Sequence, residues 1–215
     1  MTSGAVSIRA AAGVTIVGDL AVPEQAVGVA VFAHGSGSSR FSPRNRIVAS
    51  ALNHRGIATL LLDLLTPDEE RVDAVTRQLR FDVDMLAERL VAARSHVADF
   101  TGLPVGYFGA STGAAAALLA AAEEPADVSA IVSRGGRPDL AGARLPSVLA
   151  PTLLICGGQD PLVIDVNRQA LERLTKAPAE LKIVRGATHL FEEPGALDEV
   201  ATLAADWFDT HFADR

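Results

Sequence analysis

The segment Gly109-Ala110-Ser111-Thr112-Gly113 constrains this chain more than any other stretch. The apolar run Val105-Gly106-Tyr107-Phe108 precedes it, and an alanine-rich run from Ala114 to Ala122 follows. That pattern predicts a strand before the pentapeptide and a helix after it. A serine between two glycines at such a junction sits on a sharp turn that lifts its hydroxyl clear of the backbone. The glycines are needed because the turn leaves no room for side chains beside the serine. The helix that follows aims its N-terminal partial positive charge at any oxyanion formed there. A plain glycine-rich turn would use the same residues, so what lies downstream decides between the two.

The chain has 215 residues, which suits a single domain over 1–215 with a sizeable core. Hydrophobic residues make up 49%, yet the longest apolar runs, Val27 to Ala33 and Ala58 to Leu62, are strand-sized. No basic patch followed by an apolar core opens the sequence, so no signal peptide is expected. Cys156 is the only cysteine, which rules out an intrachain disulfide and fits a reducing cytoplasm. A net charge of -7 argues against nucleic acid or an anionic membrane as partner. Internal repeats and low-complexity tails are absent from the sequence.

Strand-like and helix-like segments alternate along the chain. Val6 to Ile8 and Val14 to Val22 read as an N-terminal hairpin. Val27 to Ala33 reads as a strand buried on both faces. Ser42-Pro43 signals a helix start, with Ile47, Val48 and Leu52 facing inward and a stop near Gly56. Ile57 to Leu65 is the next strand, and Thr66-Pro67-Asp68-Glu69 is a capping box opening a polar helix to about Arg80. A helix from Asp82 to about His96 buries Leu86, Leu90, Ala93 and Val97. Further strands are expected at Val128 to Val132, Thr152 to Cys156 and Leu181 to Val184, with helices at Leu162 to Leu174 and around Leu197 to Phe208. The alternation predicts an α/β fold, a mostly parallel sheet with helices on both faces. Its ligand site belongs at the C-terminal ends of the strands.

A serine hydroxyl is a weak nucleophile at neutral pH and needs a base. His189, in Gly186-Ala187-Thr188-His189-Leu190-Phe191, lies just past the last strand and is the candidate. The imidazole needs an acceptor to fix its tautomer and stabilise its cation. Asp160, in Gly157-Gly158-Gln159-Asp160-Pro161, is one loop beyond the strand ending at Cys156. Asp-Pro is also an ordinary helix N-cap, and both roles can coexist. Asp139 is the runner-up, and Asp165 falls inside a helix. An oxyanion needs two backbone donors. The amide of Thr112 supplies one by position, and the amide of Ser36, in His34-Gly35-Ser36-Gly37, is assigned the other. His34 is read as orienting that loop. Cys156 falls within a buried strand and is read as inert packing. Arg40 and Arg134 both follow strand ends and are candidate holders of a substrate carboxylate, with solvated surface the plainer reading.

These residues carry a resemblance to the α/β-hydrolase superfamily. The order Ser111, Asp160, His189 is similar to that superfamily's order, and the H-G-S-G, G-A-S-T-G, G-G-Q-D-P and G-A-T-H segments resemble its loops. The chain looks most like small, lidless, dienelactone-hydrolase-like proteins, from about Val14 to Phe208. Those hydrolases proper use a cysteine nucleophile where this chain has Ser111, so their substrate is not implied. Only Ser133 to Ala150 separates two strands where a lid is usually inserted, which leaves room for a short helix and an open site. The expectation is a serine esterase acting on small soluble acyl esters through an acyl-enzyme, with no cofactor and no metal. Two alternatives stay open. One is a hydrolase-fold protein that binds a ligand or partner without catalysis. The other is acyl transfer or perhydrolysis on the same triad. Oligomeric state is not legible, although the polar helix from Pro67 is a candidate accessory surface.

Overall fold

The computed structural model describes residues 1–213. Eight strands form one sheet: β1 (Thr2–Arg9), β2 (Thr15–Val22), β3 (Gly28–Ala33), β4 (Ile57–Leu62), β5 (Val105–Ala110), β6 (Ile131–Arg134), β7 (Thr152–Gly157) and β8 (Ala179–Val184). Their spatial order is β1-β2-β4-β3-β5-β6-β7-β8. The β1–β2 and β2–β4 pairs are antiparallel, and every other pair is parallel. This is the α/β-hydrolase architecture, with its antiparallel N-terminal pair at one edge.

Burial explains the composition of each strand. Every residue of β3, β4, β5, β6 and β7 is buried, and all but β6, which ends in Ser133 and Arg134, are largely apolar runs. The edge strand β1 is mostly exposed and carries polar residues. Six helices cover the sheet: α1 (Pro43–His54), α2 (Pro67–Thr76), α3 (Val83–Thr101), α4 (Thr112–Glu123), α5 (Pro161–Leu171) and α6 (Ala196–Ala213). Two cores result, one on each face. Val48 and Leu52 of α1 join Val200, Ala204 and Phe208 of α6 against one face. Leu86, Leu90 and Val97 of α3 join Leu118 and Ala121 of α4 against the other. Burying apolar area at about 25 cal/mol per Å² is what holds both layers to the sheet.

Several boundaries differ from the sequence expectation, each for a local reason. The helix begun at Pro67 ends at Thr76, because Arg77 takes a left-handed backbone (φ 55°). Ile47 is 46% exposed, and the inward stripe of α1 runs through Val48, Ala49 and Leu52 instead. The strand expected from Val128 starts at Ile131 and continues to Arg134, which carries its end into the site. α3 runs past His96 to Thr101, closed by Gly102 at φ 68°. Between β6 and β7 stands only a 3-10 stretch, Pro138–Ser147, kinked at Gly142. Among the described residues no large lid covers the strand ends. No helix among the described residues is long and apolar enough to cross a membrane.

Candidate active site

Ser111 stands between the end of β5 and the first turn of α4, with φ 52° and ψ -120°. L-residues rarely adopt such a backbone, and it persists only where the surroundings impose it. They do so from three sides. The amide of Ser111 donates to the carbonyl of Arg134 at 3.2 Å, and the amide of Arg137 donates to the carbonyl of Ser111 at 3.2 Å. A β-carbon at Gly109 would come 2.7 Å from the amide nitrogen of Ala114, and one at Gly113 would come 2.5 Å from the carbonyl oxygen of His34. The two glycines therefore serve close approach: the first lets α4 lie against β5, the second lets α4 butt against the end of β3. The unusual dihedral belongs to the serine itself. Thr112 opens α4, so its amide has no intrahelical partner.

The loop after β3 meets the elbow directly. Gly35 is close enough that an added β-carbon would lie 3.1 Å from Cβ of Ser111. His34 holds this loop in place, as expected. Its Nε2 accepts the amide of Leu64 at 3.1 Å, which leaves Nδ1 to donate to the carbonyl of Gly35 at 2.9 Å. Burial pushes the His34 imidazole below its ordinary pKa and keeps it neutral. Ser36 follows on the same loop, and Ser36, Ser111 and His189 all line one cleft of about 250 Å³.

His189 lies five residues past β8, with Nδ1 2.7 Å from Oδ2 of Asp160. A carboxylate only accepts, so Nδ1 carries a proton, and it is Nε2 that holds the lone pair in the neutral form of the ring. Asp160 occupies the N-cap position of α5, yet its side chain makes no cap hydrogen bond. The carboxylate is turned to the histidine instead. Gly135 stands beside the ring, its would-be β-carbon 3.5 Å from Cε1 and Nδ1 of His189. Ser111, Asp160 and His189 are each partly buried, less open than residues on free loops.

The rival candidates are engaged elsewhere. Asp139 holds Arg137 through two bonds, at 2.8 and 2.7 Å, and that guanidinium pulls its carboxyl below the usual range. Asp165 pairs with Arg168 at 3.4 Å on the exposed side of α5. Burial pushes the Cys156 thiol up to about 12, far from a working thiolate. Arg40, read from sequence as a possible substrate contact, is bound to Asp63 and lies 3.4 Å from Asp19. Those carboxylates, one just past β4 and one within β2, draw its guanidinium away from the cleft. Arg134 does line the cleft, together with Arg44 and Asn45 from the first turn of α1. Sequence reasoning missed Arg44 and Asn45. The Ser42-Pro43 helix start, so soon after the β3 loop, was the signal that could have placed them there.

The model of the dienelactone hydrolase family matches residues 16–212. The chain belongs to the dienelactone hydrolase family. A dienelactone hydrolase from Anabaena variabilis is 55% identical, with a TM-score of 0.94 over 98% of each chain. The esterase domain of a Rhodothermus marinus protein shares the fold at 19% identity, with a TM-score of 0.76 over 99% of this chain and 100% of that one. A Mycobacterium tuberculosis protein bearing the provisional name phosphoribosyl transferase is 56% identical over 201 residues. That match takes in 92% of this chain but 44% of the relative, so this chain spans less than half the length of its curated relatives. Membership of this hydrolase family supports a hydrolase.

Proposed function

We propose that this dienelactone-hydrolase-family protein is a serine hydrolase that cleaves small carboxylic esters through a covalent acyl-enzyme. The observation that carries the proposal is the 2.7 Å bond between Asp160 and His189 in the cleft that also holds Ser111. An aspartate at a helix N-cap that forgoes the cap to bind an imidazole is what a base relay requires.

In this mechanism Nε2 of His189 takes the proton of Ser111 as Oγ attacks the ester carbonyl. The amides of Thr112 and Ser36 hold the tetrahedral oxyanion, and the N-terminus of α4 adds its positive field. His189 returns the proton to the leaving alkoxide. It then activates a water that attacks the acyl-enzyme and frees the acid. Asp160 stabilises the imidazolium in both halves.

A neutral fluorophosphonate read by intact mass tests the assignment. Wild type should gain one adduct, and Ser111→Ala should gain none while keeping its thermal midpoint. Asp160→Asn should turn over p-nitrophenyl acetate at least about 10³-fold more slowly. An adduct that survives in Ser111→Ala would remove Ser111 from the mechanism. The mycobacterial relative's name describes a protein of which this chain covers 44%, and that activity is not carried over.

A further inference from the structure

Asn167 is a polar side chain in a place that suits an apolar one. It lies in the middle of α5, among its buried residues Val163, Ile164 and Ala170, and is 0% exposed. Asparagine is a weak helix former, because its amide competes with the backbone for hydrogen bonds. Its Nδ2 donates to the carbonyl of Val163, one turn back, at 2.7 Å and to the carbonyl of Gly136 at 2.9 Å. Two carbonyls can be met only by the NH2 end of the amide, so its orientation is fixed. Oδ1 is then buried without a partner among the described residues. Alanine here would carry no such cost and is the better helix former. The stability of α5 therefore does not account for the amide, and the bond to Gly136 is what remains to explain it.

Gly136 belongs to the turn after β6, and that turn braces the site. On one side of Gly136, Gly135 takes φ 52° and lies against the His189 ring, where a β-carbon would also come 3.3 Å from the carbonyl oxygen of His189. The amide of Gly135 donates at 2.7 Å to the carbonyl of Ile155 in β7, the strand that leads to Asp160. On the other side, the amide of Arg137 donates to the carbonyl of Ser111. Gly136 itself is buried, and a β-carbon on it would clash with Oγ of Ser133 and come 2.7 Å from Cβ of Ala114 in α4. Asp160 occupies the N-cap position of the helix that carries Asn167. One side-chain amide thus joins the helix that starts at the acid to the turn that abuts both the base and the nucleophile.

We propose that Asn167 is a positioning residue: by fastening Gly136 to α5 it sets the spacing of the Asp160–His189 pair from Ser111. The inference rests on the esterase reading of the site. Asn167 is not among the walls of the cleft, and its bonds go to Gly136 and Val163, so it acts through the turn and not on the reacting atoms. Without its amide the carbonyl of Gly136 is left buried and unpaired, and the turn must shift to satisfy it. Gly135 and Arg137 shift with it, which displaces the wall behind the imidazole and the bond that holds Ser111. A misplacement of about 1 Å at reacting atoms costs on the order of 10²-fold in rate. Both halves of the reaction feel that shift, since His189 must reach Oγ in the first and a water in the second.

Three variants of the full chain test it, each assayed well below its melting midpoint for turnover of p-nitrophenyl acetate and for labelling by the neutral fluorophosphonate. Asn167→Ala removes both bonds. Asn167→Ser keeps a hydroxyl for the carbonyl of Val163 and loses only the tie to Gly136, which serves if the alanine variant folds poorly. Ala170→Gly weakens the same helix one turn further on and is the stability control. In both Asn167 variants kcat and the second-order rate of labelling should each fall at least about tenfold, with KM changed less than about threefold. Ala170→Gly should melt earlier than wild type and keep its kcat. A wild-type kcat in a folded Asn167 variant overturns the proposal, as does a fall no larger than that of Ala170→Gly, or a loss confined to KM. A wild type that neither labels nor turns over the ester would instead overturn the esterase reading, and the positioning role with it.

Discussion

Ser111 is held in a conformation that serine does not choose. Its φ of 52° and ψ of -120° cost on the order of 1–3 kcal/mol, a cost that the clamp from Arg134, Gly113 and Arg137 sustains. Ser111→Gly should therefore be more stable than Ser111→Ala, because glycine alone relaxes the dihedral. Differential scanning calorimetry should show the glycine variant melting about 2–4 °C higher per kcal/mol recovered. Equal midpoints would mean that the strain is not there. At this scale the sequence was legible where chemistry limits the choice of residue. That Asp160 would meet His189 near Ser111, and that His34 would orient its loop, could both be read from residue type and order. The direction of a long side chain could not. Arg40 and Arg134 look alike in sequence, each just past a strand. Only the packing shows that one meets Asp63 and Asp19 while the other is left with a buried donor that has no partner.

Among the elements, α2 is the one placed by side chains more than by apolar burial. Asp73 is its one buried residue. Its capping box is complete, with Thr66 and Glu69 bonding each other's amides. Arg89 of α3 then ties Glu69 to the helix behind, at 2.8 and 2.6 Å, and also donates to the carbonyl of Leu64. That pairing, ahead of the backbone bond from Thr66, holds the Glu69 carboxyl down at about 2. Arg89→Met should cost about 2–3 kcal/mol at pH 7, the Glu69 side chain being 24% exposed. A depressed carboxylate contributes fully above its unfolded pKa of about 4.5 and loses that contribution as pH falls toward 2. Urea unfolding should thus find the cost of Arg89→Met smaller at pH 4 than at pH 7. A cost that stays constant would separate the pair from the stability of α2. The capping box was readable from Thr66-Pro67-Asp68-Glu69, but its partner Arg89 was not, since twenty residues and a turn separate them.

For the molecule as a whole, stability should rise from the hairpin edge to the middle of the sheet. The burial of β3 and β5 is complete, whereas β1 is mostly open to water. In native-state hydrogen exchange, amides of β3 and β5 should be exposed only by global unfolding, and those of β1 by local fraying. Uniform protection across β1 would contradict that gradient. The sheet was legible because strands buried on both faces leave unbroken apolar runs between turn signals. Its ends were less so. β6 was expected at Val128 to Val132 and instead reaches Arg134, because pairing with β5 and β7 sets its length. Cys156 lies wholly inside that sheet, at 0% exposure. Spectroscopists thus inherit a chain whose one native sulfhydryl is hidden from maleimides. A cysteine placed at the exposed Leu190, on the rim of the cleft, would take a dye without any prior mutation and report on whatever enters beneath it.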